Sequence, residues 1–274
     1  MDGCRAGWVA AECDVDDDSS PGLSALTFSI ETTFGALLDR LDGQRALVAV
    51  DIPIGLPSGA PRDDGRRRAD AEARAFLGPR RASSVFSAPC RTTLAAGGYR
   101  EACDLEVAAR GSGKGLSIEA YNIIPKIRDV DEVIRPTHQA PVGSGPGVRV
   151  REVHPEVAFA VLAGAGRRGH GLVHAKRGCI SCRKDGRACT GEADRLALLR
   201  AFVPDFEPRT VRERLLREHP RASGRGGPVV GRDDVMDAVA CLLAALRIAR
   251  GEALTLPASE PEYDARGLRM EIVA

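Results

Sequence analysis

GRDDVMDAVACLLAAL, residues 231–246, is the most informative stretch of the chain. From Val235 onward it consists almost entirely of apolar helix formers, which predicts a helix that is buried on most sides. Asp233 is predicted to be the N-cap, and Asp234 then lies in the first turn, where a carboxylate suits the helix dipole. Asp237 lies one turn beyond Asp234 on the same face, past the last capping position.

A carboxylate inside such a helix needs compensation. Burying an ionised carboxylate is costly unless a cation or several hydrogen-bond donors replace the lost water. Asp234 and Asp237 therefore suggest a bound cation. A structural ion pair with an arginine is the alternative, because nearly all basic residues of the chain are arginines.

The composition is that of an ordinary folded domain. The chain has 274 residues, of which 43% are hydrophobic and 28% are charged, enough for one large domain or a domain with an insertion. The net charge of +1 gives no global attraction to nucleic acid or membranes. Without a run of about 20 apolar residues or a signal-peptide pattern, a cytoplasmic protein with no membrane span is expected. The eight cysteines are then expected to be thiols or metal ligands.

Hydrophobic patterning predicts the order strand, strand, strand, helix, strand within the first 51 residues. This order disfavours a dinucleotide-binding domain, which alternates strands and helices from its start. The clearest predictions are strands at 7–13, 23–31 and 46–50 and a helix at 33–41. Further helices are predicted at 66–77, 99–110, parts of 121–134, 156–163, 192–202 and 211–218, with strands at 147–154 and 267–274.

Polar side chains stand at the ends of two predicted strands. Asp51 ends the most apolar strand and precedes a stiff turn at 52–57, and Glu152 and His154 point to one side of a later strand. Ligands gather beyond the carboxyl ends of parallel strands. A strand-end turn and a satisfied polar network are the alternatives. Asp2 precedes a glycine-containing turn, like an acid on a first strand whose upstream part is missing or reduced to a stub.

Six short blocks carry a resemblance to a known family. They are DGCRAGW at 2–8, DIPIGLP at 51–57, SSVFSAP at 83–89, PKI at 125–127, EVHPE at 152–156 and DDVMDA at 233–238. Together they resemble the DUF429 family, which is described as predicted nucleases of the ribonuclease H fold. The resemblance implies one ribonuclease H-like α/β domain over 1–274, with a five-stranded mixed sheet of order 3-2-1-4-5 flanked by helices. A largely helical insertion would then occupy 53–146.

The resemblance also implies roles for four acids. Ribonuclease H-like nucleases draw their acids from the first strand, the fourth strand and the last helix. Asp2 is similar to the first-strand acid, Asp51 to the fourth-strand acid, and Asp234 and Asp237 to the last-helix pair. These carboxylates would bind Mg²⁺ or Mn²⁺, the hard cations that prefer oxygen ligands.

The implied chemistry is hydrolysis of nucleic-acid phosphodiester bonds. Two ions about 4 Å apart could activate a water molecule and stabilise the leaving oxygen. Glu152 or His154 could assist proton transfer. The substrate (DNA, RNA, a junction or a small phosphodiester) and the oligomeric state stay open.

A cysteine-rich segment at 170–191 departs from the family pattern. Cys179, Cys182 and Cys189 together with His174 could form a tetrahedral zinc site, because thiolate and imidazole suit zinc. A surface loop with unliganded thiols is the alternative.

Two other functions are compatible with the sequence. Actin-like kinases share the implied fold, so an ATP-using enzyme with a phosphate-binding turn at 2–7 is possible. A non-catalytic nucleic-acid-binding protein would use the arginine clusters at 66–68 and 80–81 and the basic cluster at 183–187.

Overall fold

A computed structural model describes residues 1–15, 26–59, 66–111, 113, 115–164, 191–219 and 229–274. Its longest strands form one antiparallel and one parallel sheet. The antiparallel sheet has the order β1 (Asp2–Cys4), β2 (Gly7–Glu12), β3 (Thr27–Glu31), and the parallel sheet pairs β4 (Ala46–Val50) with β5 (Val148–Glu152). Two short antiparallel pairs lie near the C-terminus: β6 (Thr255–Leu256) with β9 (Ile272–Val273), and β7 (Glu262–Tyr263) with β8 (Arg269–Met270).

Helices surround these strands, so the described part of the chain is a mixed α/β fold. In chain order they are α1 (Phe34–Arg40), α2 (Arg68–Leu77), α3 (Tyr99–Arg110), α4 (Ile118–Asn122), α5 (Ile124–Val133), α6 (Pro155–Leu162), α7 (Gly191–Arg200), α8 (Pro208–Glu218) and α9 (Arg232–Ala249). In the described ranges no helix is long and apolar enough to cross a bilayer.

Two backbone hydrogen bonds join the start of the chain to β4. The Met1 nitrogen donates to the Ala49 carbonyl at 2.7 Å, and the Asp51 nitrogen donates to the Met1 carbonyl at 3.0 Å. This is the bonding pattern of neighbouring parallel strands. As a result, Asp2 at the start of β1 lies beside Asp51 at the end of β4.

The turn between β1 and β2 is a tight hairpin in which Cys4 is opposite Gly7. Gly7 has φ +137°, and a Cβ atom there would lie 2.0 Å from the carbonyl oxygen of Glu31 on β3. Only glycine therefore allows β2 to approach β3 this closely. The close approach of β2 to β3 explains why residue 7 is a glycine, and no bound phosphate is needed to explain it.

Helix α9 is the centre of the core and packs against β1, β2 and β4. Its buried face is made of Val, Ala, Leu, Met and Cys side chains, as the sequence predicts. The prediction of Asp233 as N-cap is wrong, because α9 begins at Arg232 and is capped by Gly231. Asp234 occupies the third helical position, from which its Oδ2 accepts a hydrogen bond from the Gly231 nitrogen at 2.8 Å.

Most other predicted elements are present, with shifted ends. β4 and α3 have the predicted bounds, whereas the helix predicted at 66–77 begins at Arg68. The region around Pro125 forms two helices, and α4 begins ahead of the predicted start at 121. The single closing strand predicted at 267–274 is instead two short strands, β8 and β9.

Candidate carboxylate site

The four predicted acids come from three elements that contact one another. Asp2 opens β1, Asp51 follows β4, and Asp234 and Asp237 lie in the first two turns of α9, which packs against both strands. Asp2 and Asp237 are buried, with 9% and 7% of their surface exposed, while Asp51 and Asp234 are half-buried. We call these four residues the carboxylate site.

Three of these acids act electrostatically on the thiol of Cys241. Burial is the main cause of a strongly raised pKa of this thiol; Asp51, Asp2 and Asp237 raise it further, and the Met1 nitrogen opposes them. All three carboxylates are therefore charged neighbours of this one buried thiol. Cys241 itself lies one turn after Asp237 on α9.

Asp234 lies on the β1 side of the same site. Burial raises the pKa of the Cys4 thiol to about 11, and among its charged neighbours Asp234 and Asp2 raise it while Lys126 lowers it. The Nζ of Lys126 donates to the Gly7 carbonyl at 2.5 Å, which fixes this charge beside β1. The carboxylate site therefore has a lysine at its edge.

The donor atoms of the site suit a hard cation. Carboxylate oxygens are the ligands that Mg²⁺ and Mn²⁺ prefer, whereas the raised pKa keeps the thiol of Cys241 protonated and a poor ligand. Within the described ranges no group of three or more His, Cys, Asp or Glu side chains is arranged to hold a metal ion. The proposed zinc ligands Cys179, Cys182, Cys189 and His174 lie outside the described residues.

Glu152 belongs to a separate buried network. Arg67 donates to its two oxygens from Nη1 at 2.6 Å and from Nη2 at 2.7 Å, and the Ile54 nitrogen donates to Oε2 at 2.6 Å. The same guanidinium donates to Asp70 at 2.5 Å and to the Ile54 carbonyl at 3.0 Å. Arg67 thereby connects the end of β5, the start of α2 and the turn that follows Asp51.

Arg67 and its two carboxylate partners stabilise each other's charged forms. Burial raises the pKa of the Glu152 carboxyl, and Arg67 opposes that rise through its charge and its hydrogen bonds. Although burial lowers the pKa of Arg67, Asp70 and Glu152 together hold it above its ordinary value. Three N–H donors on Glu152 favour its ionised form. We therefore describe the network as an arginine held between two carboxylates, in which Glu152 has a structural role.

His154 is the N-cap of α6. Its Nδ1 accepts a hydrogen bond from the Glu156 nitrogen at 3.2 Å, and its Nε2 lies 3.3 Å from the Ser84 carbonyl oxygen. These contacts require a neutral imidazole with its proton on Nε2. Burial lowers the pKa of His154 to about 4, in agreement with that state. Proton transfer was the predicted role, but the structure assigns both ring nitrogens to backbone groups.

Sequence reasoning missed Arg195 on α7. This fully buried arginine donates to Glu156 Oε2 at 2.7 Å, and its guanidinium lies 5.3 Å from the ring centroid of Phe159. Burial lowers the pKa of Arg195, and Asp237 raises it, so the two side chains interact electrostatically. The sequence did contain a signal for its burial, because Arg195 is four residues before Leu199 and so shares the buried face of α7.

Burial divides the predicted arginine clusters at 66–68 and 80–81. Arg67 and Arg81 are buried, with 1% and 5% exposure, and Arg81 forms an ion pair with Glu156. Arg66 and Arg68 are exposed. Only part of each cluster therefore faces solvent and could contact nucleic acid.

The described residues thus define a mixed α/β protein with four aspartates gathered where β1, β4 and α9 meet. A sequence profile of the family described as "Protein of unknown function (DUF429)" matches residues 1–262. The chain belongs to this family, which confirms the family resemblance. Comparisons with curated proteins and with solved structures gave no match.

Proposed function

We propose that the protein is a metal-dependent nuclease that hydrolyses phosphodiester bonds in nucleic acid. The observation that carries this proposal is that the backbone places Asp2, Asp51 and Asp237 on neighbouring elements: Met1 is hydrogen-bonded to Ala49 and Asp51, and α9 packs against β1 and β4. Neighbouring carboxylates repel one another, and a divalent cation is the ligand that stabilises several of them at one position.

The backbone supports the finer proposal of a ribonuclease H-like sheet with strand order 3-2-1-4-5. β3, β2 and β1 are neighbours in that order, and β4 pairs with β5. The two hydrogen bonds between Met1 and β4 are the link that would join the two sheets. The acids would then come from the first strand, the end of the fourth strand and the last long helix.

In this proposal Asp2, Asp51 and Asp237 hold Mg²⁺ or Mn²⁺, with Asp234 as a fourth ligand. One oxygen of Asp234, Oδ2, accepts from the Gly231 nitrogen, which positions this carboxylate at the start of α9. The bound cation would supply the charge that activates water and stabilises the leaving oxygen. Since no described group is arranged for a metal as it stands, we expect cation binding to draw these side chains together.

Calorimetry with Mn²⁺ tests the proposal without knowledge of the substrate. We expect saturable binding to the wild type and loss of binding in Asp51→Asn and Asp237→Asn, which remove charge but keep side-chain size. Asp205→Asn is the matched control, because Asp205 is an exposed aspartate after α7. A thermal unfolding curve for each variant separates loss of binding from loss of folding.

Cleavage assays then follow with Mn²⁺ and single-stranded, duplex and branched oligonucleotides. Activity that is lost in Asp51→Asn and Asp237→Asn and kept in Asp205→Asn would support the nuclease. A folded wild type that takes up no Mn²⁺, either alone or with oligonucleotide present, would contradict the proposal. Undiminished cleavage by the Asp51 and Asp237 variants would do the same.

A further inference from the structure

The loop at residues 83–89 carries one exposed aromatic ring, that of Phe86. Phe86 is 40% exposed, whereas its neighbours Val85 and Ala88 are each 1% exposed. The loop is the SSVFSAP block of the sequence, and the chemistry proposed for the carboxylate site does not use it. A fixed aromatic side chain at a surface is a common contact for ligands.

Hydrogen bonds from three side chains brace this loop. Arg74 Nε donates to the Val85 carbonyl at 2.8 Å, Asp70 Oδ2 accepts from the Ala88 nitrogen at 2.9 Å, and Arg110 Nη2 donates to the Ala88 carbonyl at 2.8 Å. The backbone on both sides of the exposed ring is therefore held in place. A ligand that contacts a held ring loses less free energy to ordering than one that contacts a mobile ring.

Phe86 lines a cleft of about 270 Å³ whose wall includes Arg66, Arg74 and Arg110. Among the described residues that line the cleft, the acidic side chain is Glu106, which is ion-paired to Arg110. Arginines therefore outnumber acids among the described residues that line the cleft. Its volume is near the lower end of small-molecule sites, roughly 300 Å³, and so suits a ligand about the size of one nucleotide.

We propose that this cleft binds one nucleotide of a single-stranded nucleic acid, with the base stacked on Phe86 and the phosphate beside Arg66 and Arg74. Stacking on an aromatic ring and pairing of phosphate with arginine are the two interactions that hold single strands without sequence preference. A base within a duplex is already stacked and does not reach such a ring. The inference rests on the proposed function and names its substrate class, an unpaired strand.

The cleft and the carboxylate site share a framework. Asp70, which holds Ala88 of the loop, is also bound by Arg67. Arg67 in turn donates to the Ile54 carbonyl in the turn that follows Asp51. The loop that carries Phe86 is thus braced by the same side chains that fix the turn after Asp51.

Fluorescence anisotropy with a labelled oligothymidylate tests the stacking contact. The measurement is made in EDTA, so that no cleavage occurs. Phe86→Ala should weaken binding about tenfold, as expected for the loss of one stacked base. Phe202→Ala is the matched control, because Phe202 is 41% exposed at the end of α7 and should leave binding unchanged. Phe86→Trp, which keeps an aromatic ring, should retain binding.

Salt dependence tests the phosphate contact. Arg66→Gln should reduce the slope of log affinity against log salt by about 0.7, the value for one phosphate contact on a single strand. Arg45→Gln replaces an exposed arginine before β4 and should leave the slope unchanged. Equal effects of the Phe86 and Phe202 variants, or no binding of the oligothymidylate, would overturn the inference.

Two further experiments distinguish this inference from a free-nucleotide site and from failure of the proposed nuclease function. Thymidine monophosphate that competes as strongly as the oligonucleotide would mean a free-nucleotide site and would overturn the single-strand assignment. If strand binding depends on Phe86 but the protein cleaves no oligonucleotide, nucleotide binding in the cleft is supported and the proposed nuclease activity is contradicted. If Phe86→Ala cleaves with an unchanged KM, the nuclease activity is supported and nucleotide binding in the cleft is contradicted.

Discussion

Replacing Arg67 with methionine removes the positive charge from the centre of the buried network and keeps most of the side-chain volume. Arg67, Glu152 and Asp70 are 1%, 4% and 2% exposed, so water does not replace the lost donors. In Arg67→Met both carboxylates remain buried without the guanidinium between them. The Ile54 carbonyl also loses its contact with Nη1, 3.0 Å away in the wild type.

The expected cost is large. Removing one partner of a buried ion pair costs about 3–5 kcal/mol, and Arg67 serves two carboxylates, so we expect about 5 kcal/mol at neutral pH. That is much of the roughly 5–15 kcal/mol by which a domain is stable. The loss should depend on pH. Without Arg67 the folded-state pKa of Glu152 rises further above the unfolded value of about 4.3, so stability is retained below that pH and lost as the pH rises.

Urea unfolding followed by circular dichroism, at about pH 5 and about pH 7.5, measures both effects. Arg68→Met is the matched control. Arg68 is the next residue, its side chain is 48% exposed, and it lies 3.9 Å from Glu72. An exposed pair of this kind contributes less than about 1 kcal/mol. The reasoning would be refuted if Arg67→Met lost as little free energy of unfolding as the control, or if its loss did not grow with pH.

Three smaller predictions concern residues of α6 and α9. The pKa of His154 is lowered from 6.5 to about 4 in the folded state, so stability should fall as the pH drops through that window; His154→Asn, which keeps an N-cap acceptor, should flatten the fall in urea titrations. Asp234→Ala removes the acceptor for the Gly231 nitrogen and should cost about 1 kcal/mol in urea unfolding; an unchanged free energy of unfolding would contradict this. The buried thiol of Cys241 should react with iodoacetamide only after unfolding, as mass spectrometry can determine; rapid labelling of the native protein would contradict its burial.

Local patterns in the sequence predicted elements better than side-chain partners. β4 is an unbroken apolar run that ends at an acid, and α9 is an apolar run with two acids, so both elements and their aspartates could be found from sequence alone. The start of α9 could not be placed as well, because Gly231, Asp233 and Asp234 all fit a helix start. Only the hydrogen bond from Gly231 to Asp234 distinguishes them.

The arginines show why the partners could not be predicted. Arg66, Arg67 and Arg68 are consecutive and identical, yet only the middle one is buried. Its burial depends on Glu152, which is 85 residues away in sequence. A local pattern contains no information about such a pair, so the sequence could not distinguish Arg67 from Arg66 and Arg68. For the same reason the sequence left Glu152 open between proton transfer and a satisfied polar network.

Arg67 connects the two sites that we propose, which leads to a prediction about their dependence on each other. Its guanidinium holds the turn after Asp51 through Ile54 and the loop that carries Phe86 through Asp70. Under conditions where Arg67→Met is folded, both Mn²⁺ affinity and oligothymidylate affinity should fall, although Arg67 is a proposed ligand of neither. Phe86→Ala should lower only oligonucleotide affinity, and Asp51→Asn should abolish only cation binding. If Arg67→Met changed one affinity and left the other at its wild-type value, the two sites would not share this framework.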